Sequence, residues 1–206
     1  MNNTTGPFIR EIQEAAIMSD KQEPGEHHPA DRDGHEKEYE LFDEIMNDNP
    51  DTVIAEGSYV HKQPRRVFIQ VKKDKFRDFA KYLKEDQGVW QCSTLSGRDL
   101  GDDLQACYHF FLNDRNISLT VRVNVPRDKP EYPSIVDLYP AFEYVENELR
   151  EMFGIIPVGL ERKHRVELPE DWPEDEHPLR KDWDDPRGVR ERIKRPPVPS
   201  AKKEAE

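Results

Sequence analysis

The run Ile117-Ser118-Leu119-Thr120-Val121-Arg122-Val123-Asn124-Val125 alternates apolar and polar side chains without a break. Successive side chains of an extended chain point to opposite faces, so the run reads as a strand with Leu119, Val121, Val123 and Val125 turned inward and Ser118, Thr120, Arg122 and Asn124 outward. Just before it, Asn113-Asp114-Arg115-Asn116 is a hairpin turn leading back to a strand at Gln105–Leu112. A further strand is expected at Val89–Leu95, and two more at Thr52–Glu56 and Arg66–Val71, the latter with Val67, Ile69 and Val71 on one face.

Three helices accompany these strands. Glu36–Asn47 pairs Leu41 with Ile45 and Phe42 with Met46 at i, i+4 spacing and stops at Asn49-Pro50. Asp74–Glu85 carries Phe76, Phe79, Ala80 and Leu83 at i, i+3, i+4, i+7, the clearest amphipathic pattern in the chain. After a short apolar run at Ile135–Leu138, Pro140–Phe153 carries the stripe Phe142, Val145, Leu149 and Met152, with Gly154 at the usual C-terminal stop. The order predicts an α+β fold: two layers, an antiparallel-rich sheet with helices on one face, followed by an extended C-terminal segment. A glycine-rich phosphate loop and regular βαβ alternation are both missing, which argues against a nucleotide-binding architecture.

The chain divides into three parts. Residues 1–35 form an acidic arm of low order, interrupted by Gly6, Pro7, Pro24, Gly25, Pro29 and Gly34, in which only Phe8, Ile12 and Ala16 recur at helical spacing. Residues 36–154 make the α+β domain, and the proline-rich residues 155–206 read as a long segment lying across a partner's surface. Charge follows the same division. Of the net −12, residues 1–56 contribute −11, from 15 acidic and four basic side chains. Such a balance opposes binding to nucleic acid, whose phosphates need a basic surface.

With 34% hydrophobic and 36% charged residues, the chain contains no apolar run approaching a membrane span and no signal-peptide core near Met1. Cys92 and Cys107 are too few for an iron–sulfur cluster and make no CxxC pair. They read as small strand residues, and His109 as a core histidine. His27, His28 and His35 sit in the polar arm without a second ligand pair. The run Glu167, Glu170, Asp171, Glu174, Asp175, Glu176 lacks the spacing of a calcium loop. Arg187, Arg190, Arg192, Lys194, Arg195, Lys202 and Lys203 make a basic tail whose alternative use is binding of RNA or a lipid surface.

One carboxylate pair stands out. Glu146 and Glu148 border the stripe of the last helix, but about 100° per residue turns them roughly 200° apart, so they cannot converge on one substrate. A hydrolase built on the acidic run with His164 or His177 has no supporting nucleophile motif. By contrast, Trp172-Pro173 through His177-Pro178-Leu179-Arg180-Lys181-Asp182-Trp183 is a stiff amphipathic strip of the composition that anchors protein interfaces.

Several of these residues together resemble a family. Ser134-Ile135-Val136, Tyr139-Pro140-Ala141, Tyr144 through Glu146-Asn147-Glu148-Leu149-Arg150-Glu151-Met152-Phe153-Gly154-Ile155, Leu168-Pro169-Glu170-Asp171-Trp172 and Pro178-Leu179-Arg180-Lys181-Asp182 are similar to the ordered motifs of the 30-kilodalton subunit of complex I, the NADH-quinone oxidoreductase. Pro126-Arg127 after the 117–125 strand also fits. Asn147 stands where that family has Arg, Tyr144 where it usually has Trp, and Glu151 where quinone-reducing members often have Asp. Val158 through Arg165 replaces a family "GHPDLRR" stretch. These departures resemble members from energy-converting hydrogenases and ferredoxin- or cofactor-F420-linked complexes.

The resemblance implies a non-catalytic peripheral-arm subunit with no catalytic, cofactor or metal residues of its own. The redox groups, iron–sulfur clusters with nickel–iron or quinone, would belong to partner subunits. Those partners would be a 49-kilodalton, hydrogenase-large-subunit-like protein, a ferredoxin-like iron–sulfur subunit and a small cluster-bearing subunit. The membrane arm would be reached only indirectly, from the cytoplasmic face. Glu146, Glu148, Arg180, Lys181 and Asp182 match motif positions and are expected in intersubunit or domain-to-tail ion pairs, with Trp172 at the same interface.

Overall fold

The computed structural model describes residues 32–184. The expectations for residues 1–31, including His27, His28 and the Phe8 stripe, and for the basic tail beyond Asp184 lie outside them. Within the described residues the elements are α1 (Glu36–Asp48), β1 (Val53–Val60), β2 (Arg66–Val71), α2 (Phe76–Glu85), β3 (Gln91–Asp99), β4 (Asp103–Leu112), β5 (Ile117–Pro126), β6 (Glu131–Pro133), α3 (Glu143–Phe153) and β7 (Ile156–Val158).

The alternating run is the middle of the sheet. Strand order is β1-β2-β5-β4-β3, antiparallel throughout except where β2 lies parallel to β5. The register sets Val67 against Leu119, Ile69 against Val121 and Val71 against Val123, while Tyr108 and Phe110 stand opposite Val121 and Leu119 from the other side. One face of the sheet is thereby a continuous apolar surface. All three helices pack on it: Leu41 and Ile45 from α1, Phe76, Phe79, Ala80 and Leu83 from α2, and Leu149 and Phe153 from α3 join one core. Val145 and Met152 of the expected α3 stripe are only partly buried, because that helix turns its Glu146 side further inward. The expected α+β architecture with helices on one face is what the chain adopts.

Differences from the expectations are local. The strand at 52–56 continues to Val60, its register shifting between Ile54 and Tyr59, a bulge that the polar Glu56-Gly57-Ser58 stretch conceals from pattern reading. β3 begins later than expected, since the Val89 N–H bonds back to the Leu83 carbonyl as the helix exits, and runs four residues further, its pairing with β4 continuing to Asp99 opposite Leu104. The last helix opens with a 3₁₀ turn at Pro140–Phe142. Two three-residue strands were not legible: β6 pairs parallel with β7, matching Glu131 with Ile156 and Pro133 with Val158. Each carries a proline, and their pairing is non-local. Through β7 the core passes beyond Gly154, with Ile155 and Leu160 buried.

α3 packs across β3 at Gly97, where a Cβ would overlap the Phe153 ring and Leu149. Glycine is what lets helix and strand approach here. Gly97→Val is therefore expected to destabilise the domain by about 1–3 kcal/mol through overpacking. Thermal unfolding followed by circular dichroism should show the midpoint falling by roughly 3–10 °C.

Candidate functional site

The motif residues gather on and around α3. An α-helix leaves its last carbonyls without intrahelical partners, and here the returning chain supplies them. His177 Nδ1–H donates to the Glu151 carbonyl at 2.9 Å, the Leu179 N–H to the Met152 carbonyl at 3.1 Å, and Arg180 Nε to the Phe153 carbonyl at 2.6 Å. Gly154 turns the chain with φ 65°, and a Cβ there would run into His177 and Arg180. A cation at this end also suits the helix dipole. Burial, then the neighbouring Arg127, pulls the Arg180 guanidinium below its ordinary value, and burial does the same to His177.

Two side chains on one side of α3 hold the earlier part of the same strap. Glu151, buried, takes the N–H of Val166 on one oxygen at 2.9 Å and those of Glu167 and Leu168 on the other at 3.0 and 3.1 Å. Asn147, buried as well, donates to the carbonyls of Glu143 and Arg162 at 3.0 and 2.9 Å and accepts the His164 N–H at 3.2 Å. Residues 155–184 thus fold back onto their own domain as a strap instead of standing free. Its outer part closes on itself: the Trp172 and Trp183 rings lie 6.0 Å apart, Trp172 Nε1 donates to the Glu176 carbonyl, and Arg165 donates to the Trp172 carbonyl.

A third anchor lies at the end of β3. The Asp99 carboxylate binds Arg127 and accepts the Gly101 N–H at 2.9 Å and the Lys181 N–H at 2.8 Å. Burial raises its pKa, but Arg127 and the two N–H donors outweigh that and hold it at about 2. Arg127 also reaches Asp182 at 3.0 Å.

The expected site residues therefore separate. Asp182 is in a domain-to-tail ion pair, Arg180 grips the domain through a carbonyl, and Lys181 does so through its backbone while its side chain is exposed. Glu148 is half-buried at the rim of a groove of about 180 Å³ lined by Val145, Met152 and Leu179, without an ion pair among the described residues. Burial, then Glu167 and Glu151, raises its pKa.

Glu146 corrects the expectation of an ion pair. It is 0% exposed and has no cation beside it among the described residues. Instead it accepts the Tyr108 hydroxyl at 2.7 Å, the Ser134 hydroxyl at 2.6 Å and the Ile135 N–H at 3.2 Å, and Tyr108 continues to the Tyr132 hydroxyl at 2.7 Å. A helix turned toward a tyrosine-lined core has placed it inside, where loss of water raises its pKa against the pull of these donors. Asn147, Glu151, Asp99 and Arg127 were not singled out from the residues themselves. Two of them left a trace: Asp99-Leu100-Gly101 is an Asp-turn pattern, and Glu151 is an acid in the last turn of a helix, where the dipole disfavours it.

Among the described residues no group of three His, Cys, Asp or Glu is placed to hold a metal ion. Cys92 and Cys107 are free thiols on β3 and β4, each pushed up to about 11 by burial. No helix among the described residues is long and apolar enough to cross a membrane.

Residues 69–187 match the family described as the respiratory-chain NADH dehydrogenase 30 Kd subunit, more than half of the chain. The chain belongs to this family. Among relatives of this 30 Kd subunit family, formate hydrogenlyase subunit 5 of Escherichia coli is 39% identical over 118 residues, 55% of this chain but only 21% of that protein. The chain thus spans about a fifth of that relative's length. A subunit of the F(420)H(2) dehydrogenase of Methanosarcina mazei is 33% identical over 125 residues, covering 60% of this chain and 78% of that one. In a solved archaeal respiratory membrane complex, the membrane-bound sulfane sulfur reductase, one chain superposes with a TM-score of 0.64 over 82% of this chain and 98% of that one, at 23% identity. That likeness concerns the fold.

Two variants separate the roles of the buried acids. Asp99→Asn should cost about 1.5–3 kcal/mol at neutral pH, the range for bonds to a charged group. The Asp99 pKa is depressed on folding, so its contribution is present above 3.8 and disappears as pH falls toward about 2; the gap between wild type and variant in urea unfolding should close over that window. Glu146 is shifted the opposite way. Its folding contribution is present below 4.5 and declines as pH rises through its elevated value, so Glu146→Gln, which keeps shape and acceptor, should gain stability relative to wild type as pH is raised.

Proposed function

We propose that this chain is a non-catalytic peripheral-arm subunit of a complex-I-type membrane oxidoreductase, of the hydrogenase- or F420-linked kind. It docks on a hydrogenase-large-subunit-like (49-kilodalton) partner and beside a ferredoxin-like and a small cluster-bearing subunit. These partners carry the iron–sulfur clusters, with nickel–iron or quinone chemistry, on the cytoplasmic face of the membrane. Support comes from the family membership and from complexes named in its relatives: a formate hydrogenlyase, an F(420)H(2) dehydrogenase and an archaeal respiratory membrane complex.

One observation carries the interface. Of the six exposed large hydrophobic residues among those described, four lie on α3 or the strap: Tyr144, Ile156, Val158 and Leu179. Exposed large apolar residues concentrated on one helix and the segment that follows it point to an interaction surface there. Leu179 at 54% exposure stands beside the Glu148 groove, so a partner that fills this groove touches α3 and the strap together. Trp172, Lys181 and Asp182 lie along the same strap. In this reading the strap's inner side fixes its shape, and its outer side makes the contact.

Affinity purification in mild detergent with mass spectrometry of the companions is the test. A large subunit of the hydrogenase type and cluster-bearing subunits should co-elute, and the isolated chain should show no visible absorbance and no bound iron. Leu179→Asp, at an exposed position, should leave the unfolding midpoint of the isolated chain in place while lowering recovered partner at least tenfold. Arg180→Ala should lower both. Stoichiometric iron or flavin on the isolated chain, or full recovery of partner with Leu179→Asp, would sink the proposal.

A further inference from the structure

The face of the sheet turned away from the helices has no element covering it among the described residues. Toward the end nearest the β1–β2 and β4–β5 turns it forms a groove of about 410 Å³ lined by Arg65, Arg66, Phe68, His109, Phe111 and Thr120, among others. Its floor is stiff. Tyr59 stacks on Phe68 at 5.0 Å between centroids, and the Arg122 guanidinium covers both rings at 5.1 and 5.4 Å. The His109 ring is fixed between Ser96 at 2.9 Å and Thr120 at 3.0 Å.

The chemistry of the groove is one-sided. Its lining includes two arginines and no carboxylate. The side chains of Arg65 and Arg66 make no ion pair among the described residues, in contrast to Arg115, whose partner is Glu44 at 2.7 Å. Phe68 and Phe111 are each partly exposed. A complementary occupant is an acidic segment carrying a few apolar side chains.

We infer that the occupant is the chain's own N-terminal segment, residues 1–31, laid over the β2, β5 and β4 face. Six acidic residues and two basic ones give this segment a net charge of −4, and its apolar stripe is Phe8, Ile12 and Ala16, with Glu11 and Glu14 interleaved. Position agrees with charge. A second groove, lined by Gly34, Glu36, Lys37, Pro64, Arg65 and Asn116, shares Pro64, Arg65 and Asn116 with the first, so the point where the described chain begins is next to the basic groove. Twenty residues separate Ile12 from Arg32, a reach of up to about 70 Å when extended, so the stripe can meet Phe68 and Phe111 without strain. Tethering counts as well. A segment covalently joined to the domain it contacts acts at an effective concentration of about 1 mM, so a contact too weak to recruit a separate molecule is occupied within one chain.

The experiment uses the full chain, isolated, with the photo-crosslinking residue p-benzoylphenylalanine at position 8. Mass spectrometry of the irradiated protein is expected to join position 8 to residues on β2, β4 or β5 of the same molecule, near Phe68 and Phe111. Arg65→Glu with Arg66→Glu should lower that yield at least fivefold, and combining it with Glu11→Arg and Glu14→Arg should restore at least half. Raising the salt to roughly 0.5 M should lower the wild-type yield, since exposed charge pairs are screened. Crosslinks between two copies, crosslinks to a different surface, no crosslink, or a yield indifferent to both charge reversal and salt would each overturn the assignment. Circular dichroism of the arginine variant checks its fold, and the salt series decides the matter should that variant not fold.

Discussion

The C-terminal end of α3 presents three backbone carbonyls that no helical N–H can reach, and much of the molecule's outer shape depends on how they are satisfied. Leaving them buried and unpaired would cost about 1–3 kcal/mol each. His177, Leu179 and Arg180 supply the donors. Because those three residues lie 24 to 27 positions downstream of Phe153, closing the helix end fixes a long irregular stretch of chain. Asn147 and Glu151 then hold its first part by binding backbone groups, and Asp99 with Arg127 holds its last. An otherwise featureless segment becomes a surface of defined shape, with β7 as the only regular element described in it.

The same helix uses its carboxylates in three ways, decided by environment alone. Glu146 looks into the core and meets hydroxyls, so it belongs to the domain's interior. Glu151 meets three N–H groups and serves as an anchor for the strap. Glu148 lies at a groove rim with no ion-pair partner among the described residues, alongside exposed Leu179. An outward-facing acid beside an apolar groove is suited to a neighbour; an enclosed one is not, since a second protein cannot reach it. Removing the Glu146 side chain would also leave the Tyr108 and Ser134 hydroxyls and the Ile135 N–H short of an acceptor, a cost of folding unrelated to assembly.

The sheet ties both ends of the described chain to this arrangement. Its inner face carries the helices, and Gly97 lets α3 settle close enough for Phe153 and its carbonyl to meet the strap. Its outer face is polar and aromatic, with Arg65 and Arg66 outside any ion pair among the described residues, at the end where the described chain begins. Helix face and open face thus offer different chemistry: apolar and acidic at α3, basic and aromatic across the sheet.

Period-two alternation in 117–125 and the 3.6-residue stripes of the helices were enough to determine the layers, the buried faces of α1 and α2 and most of the core, because burial of apolar side chains dominates folding and repeats at the period of each element. The ordered motifs from Ser134 to Asp182 were likewise enough for the family. What tertiary structure decided were the contacts whose partners are distant in sequence and whose groups are backbone. The parallel β2–β5 and β6–β7 pairings, the donors at the end of α3, and the burial of Glu146 against its identically typed neighbour Glu148 are of this kind. A carboxylate's letter is the same in a core, in an N–H cradle and at a rim; only the groups folded around it set its charge, its partners and its use.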